Sequence, residues 1–398
     1  MRRFFIEGSV KGSSIEEQGS KIMSSLIIND IKLAKATGKE YWSEDVNLKR
    51  SNEYIINDRK QRLHIRSYWP NGNDTNDTND TTNNANNTNN TNDDKCKAIV
   101  LFLHGYASHC NRPLHKYISN EMNNNDNAYI TIDVTGHGYS DGTKGYIDNS
   151  NDCVDDVLTL LIHLYATTST MNDHHLKKKG KRLPLFIIGH SFGGAIATLV
   201  ASILSNPNDY YNVAQTPYSI KNSDAINDIS PLFKGLMLLA PAIKMTLPPV
   251  IRFTLDYVLS TLLPYNSVPG SNDNVKVNPK DVWANDDYYD YIVNDGYPTN
   301  PNGLSWGPNI RTRSCSVLFD MSEKALSTAS SISYPFIIFH DPNDSIVKIN
   351  GVRSFYQQAA TSSDKKVLEE IVDGLHDPLF NRLEYVVDKL LTFIQSNC

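Results

Sequence analysis

The 398-residue sequence predicts an α/β fold, a mostly parallel central sheet with helices on both faces and a cap inserted late in the sheet. Three observations carry this reading. Continuous apolar runs such as Ala98-Ile99-Val100-Leu101-Phe102-Leu103 and Leu185-Phe186-Ile187-Ile188 have the composition of strands buried on both faces. These runs alternate with segments whose apolar residues recur at helical spacing, the rhythm of βα units. The alternation breaks from Ile243 to about Leu326 and resumes at Pro335, which is where a cap or lid would interrupt a parallel sheet.

Taken in order, residues 1–49 form a leader, with apolar residues at partly helical spacing between Ser24 and Ala36. The remainder, 50–398, reads as one elaborated domain. It opens with Glu53 to Trp69, which alternates like two short strands joined at Asn57-Asp58-Arg59-Lys60. Residues 71–94 are almost wholly Asn, Asp and Thr. A segment that buries nothing cannot offset its ordering entropy, so a disordered surface insertion is expected there. Its N-x-T triplets at Asn73, Asn76 and Asn79 arise readily by chance in such a tract.

The run Ala98 to Leu103 ends in His104-Gly105-Tyr106, and a second strand, Tyr129 to Val134, ends in Thr135-Gly136-His137-Gly138. A helix is expected over Cys153 to Tyr165, where Val154, Val157, Leu158 and Leu161 share a face. Lys177 to Arg182 reads as a solvated basic loop, and Asn206 to Pro231 as a polar insertion. After the strand Leu236 to Leu239, Pro248 to Leu263 predicts one amphipathic helix with Leu255, Val258, Leu259 and Leu262 on its apolar side. The aromatic residues Trp283, Tyr288, Tyr289 and Tyr291 are expected to pack that region, the cap 243–326, on the core. The strand Pro335 to Phe339, a helix Gly351 to Ala360, the strand Val367 to Val372 and a final helix beginning near Leu383 complete the rhythm.

Composition narrows the function classes. A net charge of -6 supplies no general attraction for nucleic acid. Five scattered cysteines without CxxC spacing indicate neither a disulfide framework nor a zinc cluster, and read as reduced thiols of a cytoplasmic protein. The apolar stretch near the first residues is too short for a signal peptide, and no run reaches the ~20 residues of a membrane span. The chain is expected to be soluble or at most to rest on a membrane surface.

The chemistry concentrates at Gly189-His190-Ser191-Phe192-Gly193-Gly194, set between the apolar strand and a small-residue helix pattern from Ala195 to Leu204. A serine held in so tight a strand-to-helix turn exposes its hydroxyl, while the helix offers free N–H groups to a developing oxyanion. This is the nucleophile elbow of an α/β-hydrolase. Gly138-Tyr139-Ser140-Asp141-Gly142 spells the same G-x-S-x-G pattern, but loop residues flank it on both sides, so Ser140 reads as a turn serine. In a doubly wound sheet the partners of Ser191 should follow later strands at the same edge. After Phe339 come two candidate acids, Asp341 and Asp344. Asp341 directly precedes Pro342 and is suited to shaping the turn. After Val372 comes Asp373-Gly374-Leu375-His376, where Gly374 is expected to let the chain fold back over the site. The rival base His340 lies too close to its own acid loop. His104 and His190 are expected to pack or hydrogen-bond structurally. The chain order Ser191, Asp344, His376 then suits a nucleophile, an orienting acid and a general base.

The strings His104-Gly105-Tyr106, Gly136-His137-Gly138-Tyr139-Ser140, Gly189-His190-Ser191-Phe192-Gly193-Gly194, Asp341-Pro342-Asn343-Asp344-Ser345-Ile346-Val347 and Gly374-Leu375-His376 resemble, in order and spacing, the successive blocks of the monoacylglycerol lipase and lysophospholipase family of serine hydrolases. The resemblance implies Ser191 as nucleophile, Asp344 as acid, His376 as base, and the backbone N–H groups of Tyr106 and Phe192 as oxyanion donors. Where the animal lipases carry an acidic residue for the glycerol head this sequence has Ser108, while Arg112 fits the basic residue of the same block. The expected function is hydrolysis of carboxylic esters of medium or long acyl chain through an acyl-enzyme, with no metal or organic cofactor. The cap is a candidate for peripheral membrane contact. The alternatives are a general carboxylesterase or peptide hydrolase of the same fold and, more remotely, a binding protein on an inactive hydrolase scaffold.

Overall fold

The computed structural model describes residues 49–70, 96–165, 182–209, 211–268, 281–307 and 310–398. The expected leader up to residue 48, the Asn-rich tract and the basic loop up to residue 181 lie outside the described residues.

The strands are β1 (Lys49–Ile56), β2 (Arg62–Trp69), β3 (Ala98–Leu103), β4 (Asn127–Ile132), β5 (Leu185–His190), β6 (Phe233–Leu239), β7 (Gly296–Tyr297), β8 (Ser305–Trp306), β9 (Phe336–His340) and β10 (Lys366–Glu370). Eight of them form one sheet in the order β1-β2-β4-β3-β5-β6-β9-β10, while β7 and β8 pair with each other. The opening hairpin β1-β2 is antiparallel and joins β4 in antiparallel fashion, and from β4 to β10 every neighbouring pair is parallel. Six strands therefore end at one edge, and the loops that follow them share a crevice.

The apolar runs carry no polar alternation because both faces are covered. Ile99, Leu101, Ile130 and Ile187 enter one core under the helices Ser150–Tyr165, Phe192–Ser205, Thr312–Ser327 and Ile349–Gln358. Val100, Phe102, Tyr129, Phe186 and Ile188 point the other way, into a second core under Leu114–Asn124 and Leu383–Asn397. Each such side chain, fully withdrawn from water, contributes about 1.5–3 kcal/mol, so the two cores fix the edge on which the site is built.

Three segments differ from the sequence reading. The helix Leu114–Asn124 was not anticipated, because its apolar signal is a single narrow stripe, Leu114, Ile118 and Met122, in a polar, Asn-ended stretch. The polar insertion after Asn206 holds two short helices, Pro217–Lys221 and Ser223–Ile229. The first starts at a capping box in which Thr216 Oγ accepts from the Ser219 N–H and Ser219 reaches back to the Thr216 amide. The expected amphipathic helix is three consecutive segments, Pro249–Phe253, a π-helical turn Thr254–Leu259, and Ser260–Leu262. A π turn inserts an extra residue, so positions after it leave the face shared by those before it. Leu255 is buried as expected, but Val258 and Leu262 are exposed.

That helix is inverted relative to the rule. Its two charged residues face the helix Thr312–Ser327: Arg252 pairs with Asp256 at 2.5 Å and with Asp320, and the Ser316 hydroxyl donates to Asp256 at 2.7 Å. Its outward side presents Val250, Ile251, Phe253, Tyr257 and Leu262 to solvent. Farther along, Tyr288 is buried and stacks on Phe380 with ring centroids 3.9 Å apart, the packing expected of the aromatic stretch. Among the described residues no helix is long and apolar enough to cross a membrane.

Candidate active site

Ser191 follows β5 and opens the helix Phe192–Ser205 with φ 52° and ψ −115°, a conformation that costs a non-glycine residue about 1–3 kcal/mol. The glycines around it permit the turn. A Cβ on Gly189 would lie 2.5 Å from the Gly193 carbonyl oxygen, and one on Gly193 would lie 2.2 Å from that of Leu103. The strained residue is held from both sides, its N–H donating to the Leu239 carbonyl at 2.9 Å and its own carbonyl accepting from the Ala242 N–H at 2.8 Å.

His376 and Asp344, from the loops after β10 and β9, meet Ser191 at this edge. The His376 Nδ1–H donates to Asp344 Oδ2 at 2.7 Å, and Nε2 stands 2.9 Å from the Ser191 hydroxyl. With the proton on Nδ1, the Nε2 lone pair is free to accept from the serine. The other Asp344 oxygen accepts the N–H groups of Ile346 and Val347 at 2.7 and 3.0 Å. Burial alone would raise the Asp344 carboxyl, but the His376 hydrogen bond and charge and the Val347 amide carry it below its ordinary value. Asp344 is therefore a carboxylate at neutral pH, able to hold the imidazole with its proton on Nδ1.

The rival residues are occupied elsewhere. Asp341 accepts the N–H groups of Asn343 at 2.8 Å and Leu375 at 2.9 Å, so it shapes its own turn and tethers the histidine loop. His340 is fully buried, and its Nε2–H donates to the Val347 carbonyl at 2.9 Å. The fold-back before His376 is made by the left-handed residues Asp373 (φ 64°) and Leu375 (φ 49°) rather than by Gly374. His190 donates from Nε2 to the His376 carbonyl at 2.9 Å, and His104 bonds the Gly105 carbonyl, both structural contacts as anticipated. Burial lowers the His104 imidazole to about 4, so it stays neutral.

Two backbone segments flank the serine. Phe192 is the first residue of its helix, so its N–H has no intrahelical partner. Gly105 lies against Ser191 closely enough that a Cβ on it would be 3.4 Å from the serine Cβ. The adjoining Tyr106 is anchored by its hydroxyl, which donates to the Gly145 carbonyl at 2.7 Å.

Sequence reasoning did not single out two neighbouring clusters. His64, Cys110 and Asp133 bring three donor atoms within 4.8 Å of one another, a grouping invisible in sequence because it joins β2 to loops after β3 and β4. Asp133 is already saturated, accepting from the His64 ring at 2.9 Å, the Cys110 N–H at 2.7 Å and the Tyr139 N–H at 3.0 Å. Burial pushes the Cys110 thiol well up, so it packs here as a protonated thiol. The chemistry of this donor set is that of a structural knot. The second joins residues 283–295 to the loops after β10 and β3: the Trp283 indole N–H donates to Asp377 at 2.9 Å and His109 pairs with Asp295 at 2.7 Å.

Comparison with known proteins gives the arrangement a context. The family profile described as "Serine aminopeptidase, S33" (Hydrolase_4) matches residues 94–214 and 223–382, well over half of the chain. A monoglyceride lipase homolog of monkeypox virus is 22% identical over 303 residues, covering 75% of this chain and 89% of that protein. Human monoglyceride lipase is 27% identical over 175 residues, covering 44% of this chain and 52% of that enzyme. Among solved structures, a soluble variant of monoglyceride lipase from Saccharomyces cerevisiae in complex with a substrate analog superposes with a TM-score of 0.55 at 15% identity, over 90% of this chain and all of that one. The monoacylglycerol lipase of Paleococcus ferrophilus gives 0.54 at 18% identity, over 76% of this chain and 97% of that chain. These structures share the fold, and the profile match states the membership: the chain belongs to the Hydrolase_4, serine aminopeptidase family of α/β-hydrolases.

Proposed function

We propose that this hydrolase is a serine esterase that cleaves carboxylic esters of medium or long acyl chain, such as monoacylglycerols or lysophospholipids, through an acyl-enzyme. The observation that carries the reading is the hydrogen-bonded series from Ser191 through His376 to Asp344 at a strained strand-to-helix turn. In this mechanism the serine oxygen attacks the ester carbonyl carbon while its proton passes to His376 Nε2. Asp344 holds the ring with its proton on Nδ1 and stabilises the imidazolium. The tetrahedral oxyanion is received by the N–H groups of Tyr106 and Phe192. His376 then protonates the departing alcohol, and a water activated by the same ring hydrolyses the acyl-enzyme.

The stretch 243–326 is the lid over this site in our reading. The inverted helix Pro249–Leu262 supports the idea, since an apolar side turned to solvent suits contact with a lipid surface while Arg252 and Asp256 tie the helix down. The protein would then work in the cytoplasm and visit membranes peripherally. Peptide hydrolysis is the second reading, and the family's name favours it.

A panel of p-nitrophenyl esters of rising chain length, set against aminoacyl amides, tests the choice. We expect turnover to rise with acyl length and the amides to be poor substrates, and preferential cleavage of the amides would reverse the assignment. On the same panel, a variant with Val250, Phe253, Tyr257 and Leu262 replaced by Ser should lose activity on long esters presented in vesicles while keeping it on a short soluble ester. Equal loss on both would remove the lid reading.

A further inference from the structure

We propose that Asp295, acting through His109, is a positioning residue for the oxyanion amide of Tyr106, so that the segment carrying β7 and β8 completes the catalytic backbone and does more than cover the site. The inference rests on the reading of Ser191 as nucleophile and of Tyr106 as a donor.

The geometry is a bracket closed on the loop after β3. His109 is almost fully buried, and its Nδ1 accepts the Asn111 N–H at 3.0 Å, so the ring proton sits on Nε2 and points at Asp295 Oδ2, 2.7 Å away. The same Asp295 carboxylate gathers the neighbouring strand. It accepts from the Leu304 N–H at 3.1 Å, the Ser305 N–H at 3.2 Å and the Ser305 hydroxyl at 2.7 Å. The next residue of that strand, Trp306, donates its N–H to the Ala107 carbonyl at 3.3 Å. Asp295 thus grips the loop at His109 and, through β8, at Ala107.

What lies between those grips needs holding. Ala107 is left-handed (φ 62°), a conformation a β-carbon disfavours, and it immediately follows Tyr106. The Gly105–Tyr106 peptide, which bears the Tyr106 N–H, is tied across Ala107 by the Ser108 N–H, which donates to the Gly105 carbonyl at 3.1 Å; if the bracket opens and Ala107 relaxes to negative φ, that bond is lost and the peptide is free to turn. An oxyanion donor is useful only within a few tenths of an ångström of its place, and misplacement of about 1 Å can cost on the order of 100-fold. Burial would raise the Asp295 carboxyl, but the hydrogen bonds from His109, Ser305 and Leu304 carry it down to about 2. The anion that closes the bracket therefore persists through the working range of pH.

The test uses the full chain and a short soluble ester that does not engage the lid. For Asp295→Asn we expect kcat to fall about 10- to 100-fold with KM within twofold of wild type, because the lost interaction belongs to the transition state. A trifluoromethyl ketone, whose adduct with Ser191 carries the oxyanion, should lose affinity by the same factor as kcat/KM. His109→Gln keeps an N–H donor toward Asp295 and should retain most activity, whereas His109→Ala should fall with Asp295→Asn. That pair stands as the test should Asp295→Asn fail to fold. Folded Asp295→Asn and His109→Ala with wild-type kcat, or with a loss confined to KM, would overturn the proposal. A wild-type protein that neither turns over the ester nor binds the ketone would instead remove the functional reading beneath it.

Discussion

Two clusters in this molecule contain a serine from a G-x-S-x-G string, a histidine and an aspartate. In one, the Ser191 hydroxyl meets the His376 ring, whose opposite nitrogen meets Asp344. In the other, the His64 ring likewise meets a carboxylate, that of Asp133, at 2.9 Å. There the likeness stops. The Ser140 hydroxyl donates to the Asp133 carbonyl at 2.5 Å and accepts the His64 backbone N–H at 2.8 Å, so it never addresses the ring. Residue types alone do not make a relay. What matters is which atoms the backbone leaves unsatisfied, and the left-handed elbow at Ser191 leaves its hydroxyl to the imidazole while the loop at Ser140 spends its hydroxyl on main chain.

The sharpest way to break this contrast is to remove each hydroxyl. Ser191→Ala should lower turnover on the order of 10⁴- to 10⁶-fold with little change in melting temperature, since its half-buried hydroxyl bonds the His376 ring and holds no main chain. Ser140→Ala should keep turnover within a few-fold and lose about 1–3 kcal/mol of stability, because it leaves a buried carbonyl and a buried N–H unpaired. Kinetics and urea unfolding of the two proteins decide it, and comparable loss of turnover in both would erase the distinction.

A second contrast lies within the acid loop, where Asp341 and Asp344 are both buried and both ionisable. Asp344→Asn should cut kcat on the order of 10⁴-fold, since an amide no longer fixes the ring tautomer. Asp341→Asn should cost about tenfold, through a looser Leu375 and hence a less fixed His376. The ratio of the two kcat values is the measurement, and a larger loss at Asp341 would exchange their roles.

The elements that sequence made legible are those whose information is local or periodic. The buried runs of β3 and β5, the elbow glycines and the order of Ser191, Asp344 and His376 all declare themselves through apolar continuity, chain position and turn chemistry. The inverted helix does not. Leu255, Val258, Leu259 and Leu262 fit one face of an α-helix, and only the π turn and the ion pair of Arg252 with Asp320 turn the face outward. Asp295 was equally hidden, because its meaning depends on His109, 186 residues away in the chain, and on backbone donors of β8. Long-range hydrogen bonds to main chain leave no signature in residue spacing.

The last contrast separates the two carboxylates by their response to acid. Burial works against the charge of Asp133, yet the hydrogen bond and charge of His64 dominate and hold it well below its ordinary value of 3.8. A carboxyl whose folded value is depressed contributes stability that is fully present above the unfolded value and is lost as pH falls through the folded one. Asp344 is shifted in the same direction, so wild type should weaken as the pH drops below about 4. Asp133→Asn removes one of these two contributions and with it a buried partner, so it should be less stable than wild type at pH 5 by about 3 kcal/mol. It should also lose less than wild type between pH 5 and pH 3. Asp344→Asn should flatten the same acid limb with a smaller loss at pH 5, because Asp133 anchors β2, β4 and the loop after β3 together whereas Asp344 mainly orients one ring. Urea midpoints at the two pH values for the three proteins measure this. If Asp133→Asn were as stable as wild type at pH 5, the knot around His64 would not be structural, and the contrast between the two clusters would have to be drawn on other grounds.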